Sequence, residues 1–208
     1  MSSRRWVLAG LLALGAATSA GAEERRVPAK KVFPYLDAYL RIPPAQRSRF
    51  TPAYVFIKTR PTALWLVEGA ARTPLPVDAE GRVLRLPNAE QIERGEILVS
   101  GPDKARYSVR LEMHPLVAPA AEMDAASLSA AVSQASAAAK SLAGPLSFAA
   151  PKFSGVLFPG GAQGEVIYAN GRRAALPLDK GVARFNPADH PGARVIRFAR
   201  APEGLIID

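Results

Sequence analysis

Two aspartates occupy matching places in a stretch of sequence that occurs twice. RTPLPVDAEGRVLRLP, which begins at Arg72, carries Asp78, and RAALPLDKGVARFNP, which begins at Arg173, carries Asp179. Two carboxylates from duplicated segments can share one proton, as they do in aspartic proteases. Those enzymes have a small hydroxyl residue and a glycine directly after each aspartate, whereas Ala-Glu and Lys-Gly follow here. Because aspartate also initiates tight turns, the sequence favours a turn at both positions and predicts no catalytic residue.

Few other residues have the chemistry of a metal ligand or a cofactor site. His114 and His190 are the only histidines, each precedes a proline, and the chain has no cysteine. Zinc sites use mainly histidine and cysteine, so we predict no metal ligand and interpret both histidines as loop residues. The run PGGAQG, which begins at Pro159, lacks the lysine of a phosphate-binding loop and precedes a strand-like segment. We therefore expect a hairpin loop there and predict no cofactor.

Short apolar or alternating runs separated by glycine, proline and aspartate dominate the chain from Tyr54 onward. YVFIK, ALWLVE, VLRLP, EILVS and YSVRLEM form one series, and GVLF, GEVIYA, VARF, RVIRFA and GLIID form a second. Runs of this kind are typical of antiparallel β-structure. The second series follows the first at an offset of 101, since 156 − 55 = 101 superimposes two valines and 179 − 78 = 101 superimposes the two aspartates. The next turn is two residues shorter in the second series, so the offset becomes 182 − 83 = 99 for the following pair of valines. This self-similarity predicts a tandem duplication of one β-unit.

Helical spacing appears in two places outside these runs. Phe33, Leu36 and Leu40 share one helical face, and Pro44 can open a second short helix. Between the two β-series, Asp124 can cap a helix that the later Gly-Pro pair ends. The exposed face of that helix is mostly serine and alanine, so we expect it to pack on a sheet or to join the two halves.

Together these elements predict an α+β, mainly β chain with two related antiparallel β-units and short helices at the N-terminus and between the units. Trp65 and Phe185 are expected in the core, because they lie in apolar or alternating strand patterns. The expected divisions are a signal peptide at 1–22, a basic segment with short helices at 23–52, a β-unit at 53–119, a linking helix at 120–145 and a second β-unit at 146–208.

The first residues predict an export signal. Arg4 and Arg5 precede an apolar stretch, and the small residues Ala20 and Ala22 fit a cleavage site before Glu23. A stable membrane span needs about 20 apolar residues, and this stretch is shorter, so a soluble periplasmic protein with no transmembrane span in the mature chain is expected. General secretion and twin-arginine export are both compatible with this start.

The formal net charge of +9 comes largely from residues 23–60, which hold nine Lys or Arg and three Asp or Glu. This basic segment could bind an envelope protein or an anionic envelope surface, or it could be an ordinary solvated surface. The aromatic side chains nearby lie in apolar patterns and are interpreted as core residues, so no nucleic-acid partner is predicted. These aromatic residues are Tyr35, Tyr39, Phe50, Tyr54 and Trp65.

The first β-unit resembles an uncharacterised family of secreted proteobacterial proteins that contain a domain of unknown function. The matching segments are FPYLDAYLRI, ALWLVEGAARTPLPVDAEGRVLRLP and YSVRLEM. The resemblance implies an envelope protein and supplies no activity and no site residue. We therefore expect a non-enzymatic structural or partner-binding role. The alternative is a carboxylate-dependent hydrolase acting on an envelope polymer, which an acidic cleft would favour, whereas a flat, apolar or basic patch would favour a binding protein.

Overall fold

A computed structural model describes residues 23–143 and 152–208 of the chain. Within these ranges the protein is mainly β, with antiparallel sheets and a few helices, as the sequence predicts. The signal peptide predicted at 1–22 and the helix stop predicted at Gly144 lie outside the described residues. None of the helices in the two described ranges has the length and apolar character needed to cross a membrane.

Both halves of the chain begin with a strand, continue through helix and end in strands. The first half contains β1 (Glu23–Pro28), α1 (Ala29–Val32), α2 (Leu36–Arg41), the 3-10 helix η1 (Pro44–Arg47), β2 (Phe50–Ile57), β3 (Ala63–Glu68), β4 (Ala71–Pro74), α3 (Ala89–Arg94), β5 (Glu96–Gly101) and β6 (Ser108–Pro115). The second half contains β7 (Glu122–Asp124), α4 (Ala125–Ala143), β8 (Val156–Phe158), β9 (Gly164–Tyr168), β10 (Arg173–Ala175), β11 (Leu178–Asp179), β12 (Val182–Phe185), β13 (Ala193–Phe198) and β14 (Ile206–Ile207). The short helix expected to open at Pro44 is confirmed.

The strands form three antiparallel sheets. Two four-stranded sheets have the orders β1-β5-β3-β4 and β10-β9-β13-β7, and a central six-stranded sheet has the order β11-β12-β8-β14-β6-β2. The central sheet therefore contains strands from both halves of the chain. The halves meet within this sheet where Ile207 of β14 pairs with Met113 of β6.

The two halves pair their strands in the same way. In the first half β3 pairs with β4 and β5, β2 pairs with β6, and β5 also pairs with β1. In the second half β9 pairs with β10 and β13, β8 pairs with β14, and β13 also pairs with β7. The matching strands include β1 and β7. β1 lies before residue 53 and β7 before residue 146, where the sequence predicts that the two β-units begin. Tandem duplication stays a prediction, for which superposition of the two halves is the test.

The repeated LPxD segments form turns in both halves. Leu75 and Leu176 are both buried, and their N–H groups donate to the carbonyl oxygens of Leu64 at 2.9 Å and Gly164 at 2.8 Å. The Asp78 carboxylate caps its turn by accepting the backbone N–H of Arg82 at 2.7 Å. In the second half the turn lies between β11 and β12, which pair with each other. β4, which ends at Pro74, lies at the edge of its sheet, where the missing N–H of a proline is tolerated.

Trp65 and Phe185 were both expected in the core from their strand patterns, and only one of them is fully buried. Phe185 is fully buried. Trp65 is only half-buried, and its placement in the core was wrong. In β3 the side chains alternate between the two faces of the sheet. Since Leu64 and Leu66 occupy the core face and are almost fully buried, Trp65 lies on the opposite face.

Helix α4 packs on the sheets through a buried face made by Leu128, Ala131, Val132 and Ala135. It contacts β13, β6, β14 and β2. The cap expected at Asp124 is confirmed, because its carboxylate accepts the backbone N–H of Ser127 at 2.8 Å. Hydrogen bonds from the hydroxyl and the backbone of Ser127 hold the pKa of Asp124 below its usual value. Packing on a sheet was one of the two placements that the sequence left open.

Candidate functional site

A cavity of about 710 Å³ lies between helices α2 and α4 and the strands β6, β8 and β14 of the central sheet. This volume is within the range of about 300–1,000 Å³ typical of small-molecule sites. The lining is mostly apolar. The residues that line it are Tyr35, Ala38, Tyr39, Ile42, Phe50, Arg110, Leu111, Glu112, Met113, Ala135, Ala138, Ala139, Leu142, Ala143, Phe153, Leu157, Ile206 and Ile207.

Small side chains on α4 leave the space that forms the cavity. Ala135, Ala138 and Ala139 face the sheet at helical spacing, and an alanine side chain does not reach across the gap between a helix and a sheet. Further along the helix, Leu142 lines the cavity but is 45% exposed, and Tyr35 is 71% exposed. These two exposed lining residues mark the side on which the cavity opens to solvent.

The expectation that Tyr35 is a core residue was wrong. It directly precedes α2 with a left-handed backbone (φ 65°), and its ring lies at the surface. Tyr39, Phe50 and Tyr54 are buried, as predicted. The Tyr39 hydroxyl donates to the carbonyl oxygen of Phe50 at 3.1 Å. This polar group of the cavity wall is therefore already hydrogen-bonded within the protein.

Tyr54 fixes the segment before α2 to β2. Its hydroxyl donates to the carbonyl oxygen of Pro34 at 2.7 Å, and its ring meets Phe33 edge-on at 5.1 Å between centroids. Burial, and secondarily the negative charge of Asp37, raise the pKa of Tyr54 well above its usual value. The hydroxyl therefore stays protonated and acts as a structural donor that positions the helical wall of the cavity.

A charged network lies on β6, the strand that forms part of the cavity floor. Arg110, Glu112 and His114 alternate along the strand and so share one face. The Glu112 side chain is only 7% exposed. Its Oε1 accepts from Nε of Arg110 at 2.8 Å, and its Oε2 lies 2.9 Å from Nε2 of His114.

His114 lies in a strand, so its interpretation as a loop residue was wrong. The proline that follows it is the last residue of β6, where a missing N–H is tolerated, and so the His-Pro pair does not end the strand early. His190 does lie in a turn, as predicted. Its Nδ1 is 2.9 Å from the Tyr168 hydroxyl, and its ring stacks on Phe185 at 5.9 Å. Neither histidine is among the residues that line the cavity.

The surroundings of Glu112 favour its ionised form. Burial raises the pKa of this carboxyl, but the hydrogen bonds from His114 and Arg110 and the positive charge of Arg110 outweigh burial and lower the pKa below its usual value. Both carboxylate oxygens already have partners. Glu112 is therefore suited to holding β6 and its neighbours in place rather than to donating a proton, which a hydrolase would require of its general acid.

Replacing Glu112 with glutamine should lower the free energy of unfolding at pH 7 by about 2 kcal/mol, since it removes charge-assisted hydrogen bonds from a buried site. The folded-state pKa lies below the unfolded value. The stability from ionised Glu112 is thus fully present above the unfolded pKa and is lost as the pH falls through the folded value. Denaturant unfolding from pH 7 to pH 3 should show the difference between wild type and Glu112→Gln shrinking as the pH falls below the unfolded-state pKa.

The matched control is Glu122→Gln, which removes a carboxylate from an exposed ion pair with Arg197. An exposed pair of this kind contributes about 0–1 kcal/mol, so this variant should stay close to wild type. A loss for Glu112→Gln that is equal at pH 7 and pH 3 would contradict the assigned network.

The duplicated aspartates and the glycine-rich run lie away from the cavity lining. Asp78 caps a turn in the first half, and Asp179 is the last residue of β11, directly before the turn to β12. PGGAQG joins β8 to β9, which belong to different sheets, so the expected hairpin was wrong. A Cβ at Gly161 or Gly164 would come within 2.8 Å and 2.5 Å of the Phe198 ring, so the absence of a side chain lets this loop cross closely over Phe198 from one sheet to the other.

The cavity and Glu112 were not identified from the sequence. The signal for Glu112 was present, since Arg, Glu and His follow one another at two-residue spacing in SVRLEMH and must share one face of a strand. No sequence pattern predicts the cavity, because it depends on how far α4 stands from the sheet. Within 23–143 and 152–208, no group of three or more His, Asp or Glu is arranged to hold a metal ion.

Comparisons of the chain with protein-family models, with curated proteins and with solved structures found no match.

Proposed function

We propose that this chain is an exported, non-enzymatic binding protein of the bacterial envelope and that its ligand occupies the cavity between α2, α4 and the central sheet. The observation that carries the proposal is the cavity itself, which has the volume of a ligand site and a lining of mostly apolar side chains. Soluble proteins rarely leave such a surface open without a use for it.

Arg110 and Glu112 are the charged residues of the lining, and they pair with each other. The cavity is thus an apolar site with a compensated charge pair, and not the acidic cleft that would favour the hydrolase. The ionised state and the bonded oxygens of Glu112 point the same way. These features support binding over hydrolysis of an envelope polymer.

Filling the cavity should abolish ligand binding. Ala139 lines it, and Ala139→Phe would place a ring in the space. We expect the uncharged fluorescent probe N-phenyl-1-naphthylamine to bind the wild type, and Ala139→Phe to weaken that binding at least about tenfold, or about 1.4 kcal/mol. Fluorescence titration of the two purified proteins measures the effect.

The matched control is Ala137→Phe, the same change two residues earlier on the exposed face of α4. It should bind the probe as the wild type does. Equal weakening in both variants would contradict the proposed site.

The proposed export is supported by the signal-like start of the chain, with small residues before Glu23. Cleavage before Glu23 keeps Glu23–Pro28, which pair with β5, in the mature chain. N-terminal sequencing of the protein recovered from a periplasmic extract should therefore start at Glu23. A chain that keeps Met1 and fractionates with the cytoplasm would contradict export without affecting the binding site.

A further inference from the structure

We infer that the cavity binds an extended peptide, which adds as an antiparallel strand beside β6 and alternates apolar residues with acidic ones. This inference rests on the proposed function, because it names the class of ligand for the same cavity. The feature that carries it is the edge of β6 that borders the cavity, where the described residues supply no strand partner over Ser108–Glu112.

Strand β6 is paired on one side along its whole length but hardly at all on the other. All eight of its residues pair with β2. On its other side β14 pairs with Met113 alone. Within the described parts of the chain, no strand pairs with the opposite edge of β6 over Ser108–Glu112. Leu111, which belongs to this open stretch, lines the cavity.

The hydrogen-bonding pattern shows which backbone groups of β6 face the open edge. Tyr54 and Phe56 of β2 bond to the segment at residues 81–83, with Val83 N–H to Tyr54 O at 2.9 Å. Because backbone groups alternate in direction along a strand, Val55 of β2 faces β6, where it is opposite Arg110. The neighbours of Arg110 on β6, Val109 and Leu111, therefore direct their N–H and C=O groups away from β2 and toward the cavity side.

The N–H and C=O groups of Val109 and Leu111 that point toward the cavity indicate which class of ligand fits there. A purely apolar molecule that filled the cavity would remove water from the N–H and C=O of Leu111 and offer no hydrogen bond in return, which is costly. An extended peptide supplies both a donor and an acceptor at the correct spacing, as in strand addition to other exposed sheet edges. The mixed requirement for hydrogen bonds and apolar contact favours a peptide over a hydrocarbon chain.

The two faces of the added strand would meet different surroundings. Residues opposite Val109 and Leu111 share their face of the sheet. Leu111 lines the cavity together with apolar residues that include Ala138, Ala139 and Phe153. The intervening residues of the peptide lie on the face of Arg110, whose side chain is 57% exposed and uses its Nε and one terminal nitrogen on Glu112. The guanidinium has five N–H donors, so its other terminal nitrogen can donate to an acidic side chain. Apolar residues that alternate with acidic residues therefore fit this edge.

The test uses the full mature chain and the blocked pentapeptide acetyl-Val-Glu-Val-Glu-Val-amide. Isothermal titration should show binding, and Ala139→Phe should weaken it at least about tenfold. Methylating the valine amide nitrogens, which face β6 in the inferred pairing, should weaken binding at least about tenfold. Methylating the glutamate amide nitrogens, which face away, should change it less than about threefold. A peptide with lysine in place of glutamate should bind more weakly than the parent.

Amide hydrogen exchange locates the peptide. Binding should slow exchange of the Leu111 N–H at least about tenfold and leave that of Arg110, which already faces β2, nearly unchanged. Dodecanoate is the second probe, and it should leave the Leu111 exchange rate unaltered.

Two results would overturn the inference. If dodecanoate binds and competes with N-phenyl-1-naphthylamine while the peptide does not bind, the ligand is a hydrocarbon chain and the proposed cavity function still stands. If neither the peptide nor the two apolar probes bind, both this inference and the proposed function are wrong.

Discussion

Phe185→Ala should lower the free energy of unfolding by about 3–5 kcal/mol, as expected for removal of a fully buried aromatic side chain. The Phe185 ring is fully buried on β12, opposite Val156 of β8, and it stacks on His190. Its neighbours are held by the ladder of the central sheet, so they cannot close the space that the ring leaves. Denaturant unfolding followed by circular dichroism measures the change as a shift of the midpoint.

Leu178→Ala is the control for Phe185→Ala, since Leu178 lies on the adjacent strand β11 and is 56% exposed. This variant should unfold within about 0.5 kcal/mol of the wild type. An unchanged midpoint for Phe185→Ala would mean that β12 presents its opposite face to the core and would overturn the register of the central sheet.

Gly81→Ala should also be strongly destabilising, and for two reasons that act together. Gly81 has a left-handed backbone (φ 88°), which costs an alanine about 1–2 kcal/mol. A Cβ there would also lie 2.5 Å from the carbonyl oxygen of Phe56, a backbone atom that cannot move aside without disturbing β2. Crowding of this kind adds about 1–3 kcal/mol. Thermal and denaturant unfolding of the purified variant measure the total.

The chain supplies its own control at the corresponding turn of the second half. Gly181 has nearly the same backbone conformation (φ 84°), but a Cβ there would have no atom within 4 Å. Gly181→Ala should therefore carry only the conformational cost of about 1–2 kcal/mol. Equal losses in the two variants would show that contact between the new Cβ at residue 81 and the Phe56 carbonyl oxygen adds nothing, and that β2 does not lie as close to this turn as described.

Local patterns predicted the features that depend on neighbouring residues. The aspartate cap at Asp124, the helix opening at Pro44 and the turns at Asp78 and Asp179 all follow from backbone groups within a few positions of the residue itself. The alternation that placed Phe185 in the core is equally local. These predictions are confirmed because no distant part of the chain competes with them.

The features that were missed depend on distant pairing. EERRVP has too few apolar residues to look like a strand, yet it forms β1 because β5 offers it a complete edge. Trp65 looked like a core residue because ALWLV is apolar throughout, and only the sheet decides which face is covered. The cavity is set by the distance from α4 to the sheet, which no alternation or spacing along the chain encodes.

The single pairing of β14 with β6 has a consequence for the order in which the protein folds. Ile207 and Met113 are 207 − 113 = 94 positions apart, so the contact that joins the two halves of the central sheet is among the most non-local in the structure. Contacts of such long separation form late and slowly. Before β14 pairs with β6, Met113 also lacks its strand partner on this edge, so the unpaired edge of β6 is longer than in the folded protein. That edge can pair with the same edge of another molecule. A newly synthesised chain would thus be most prone to aggregate in the interval before β14 docks, and a partner that covers β6 would act as a chaperone during that interval.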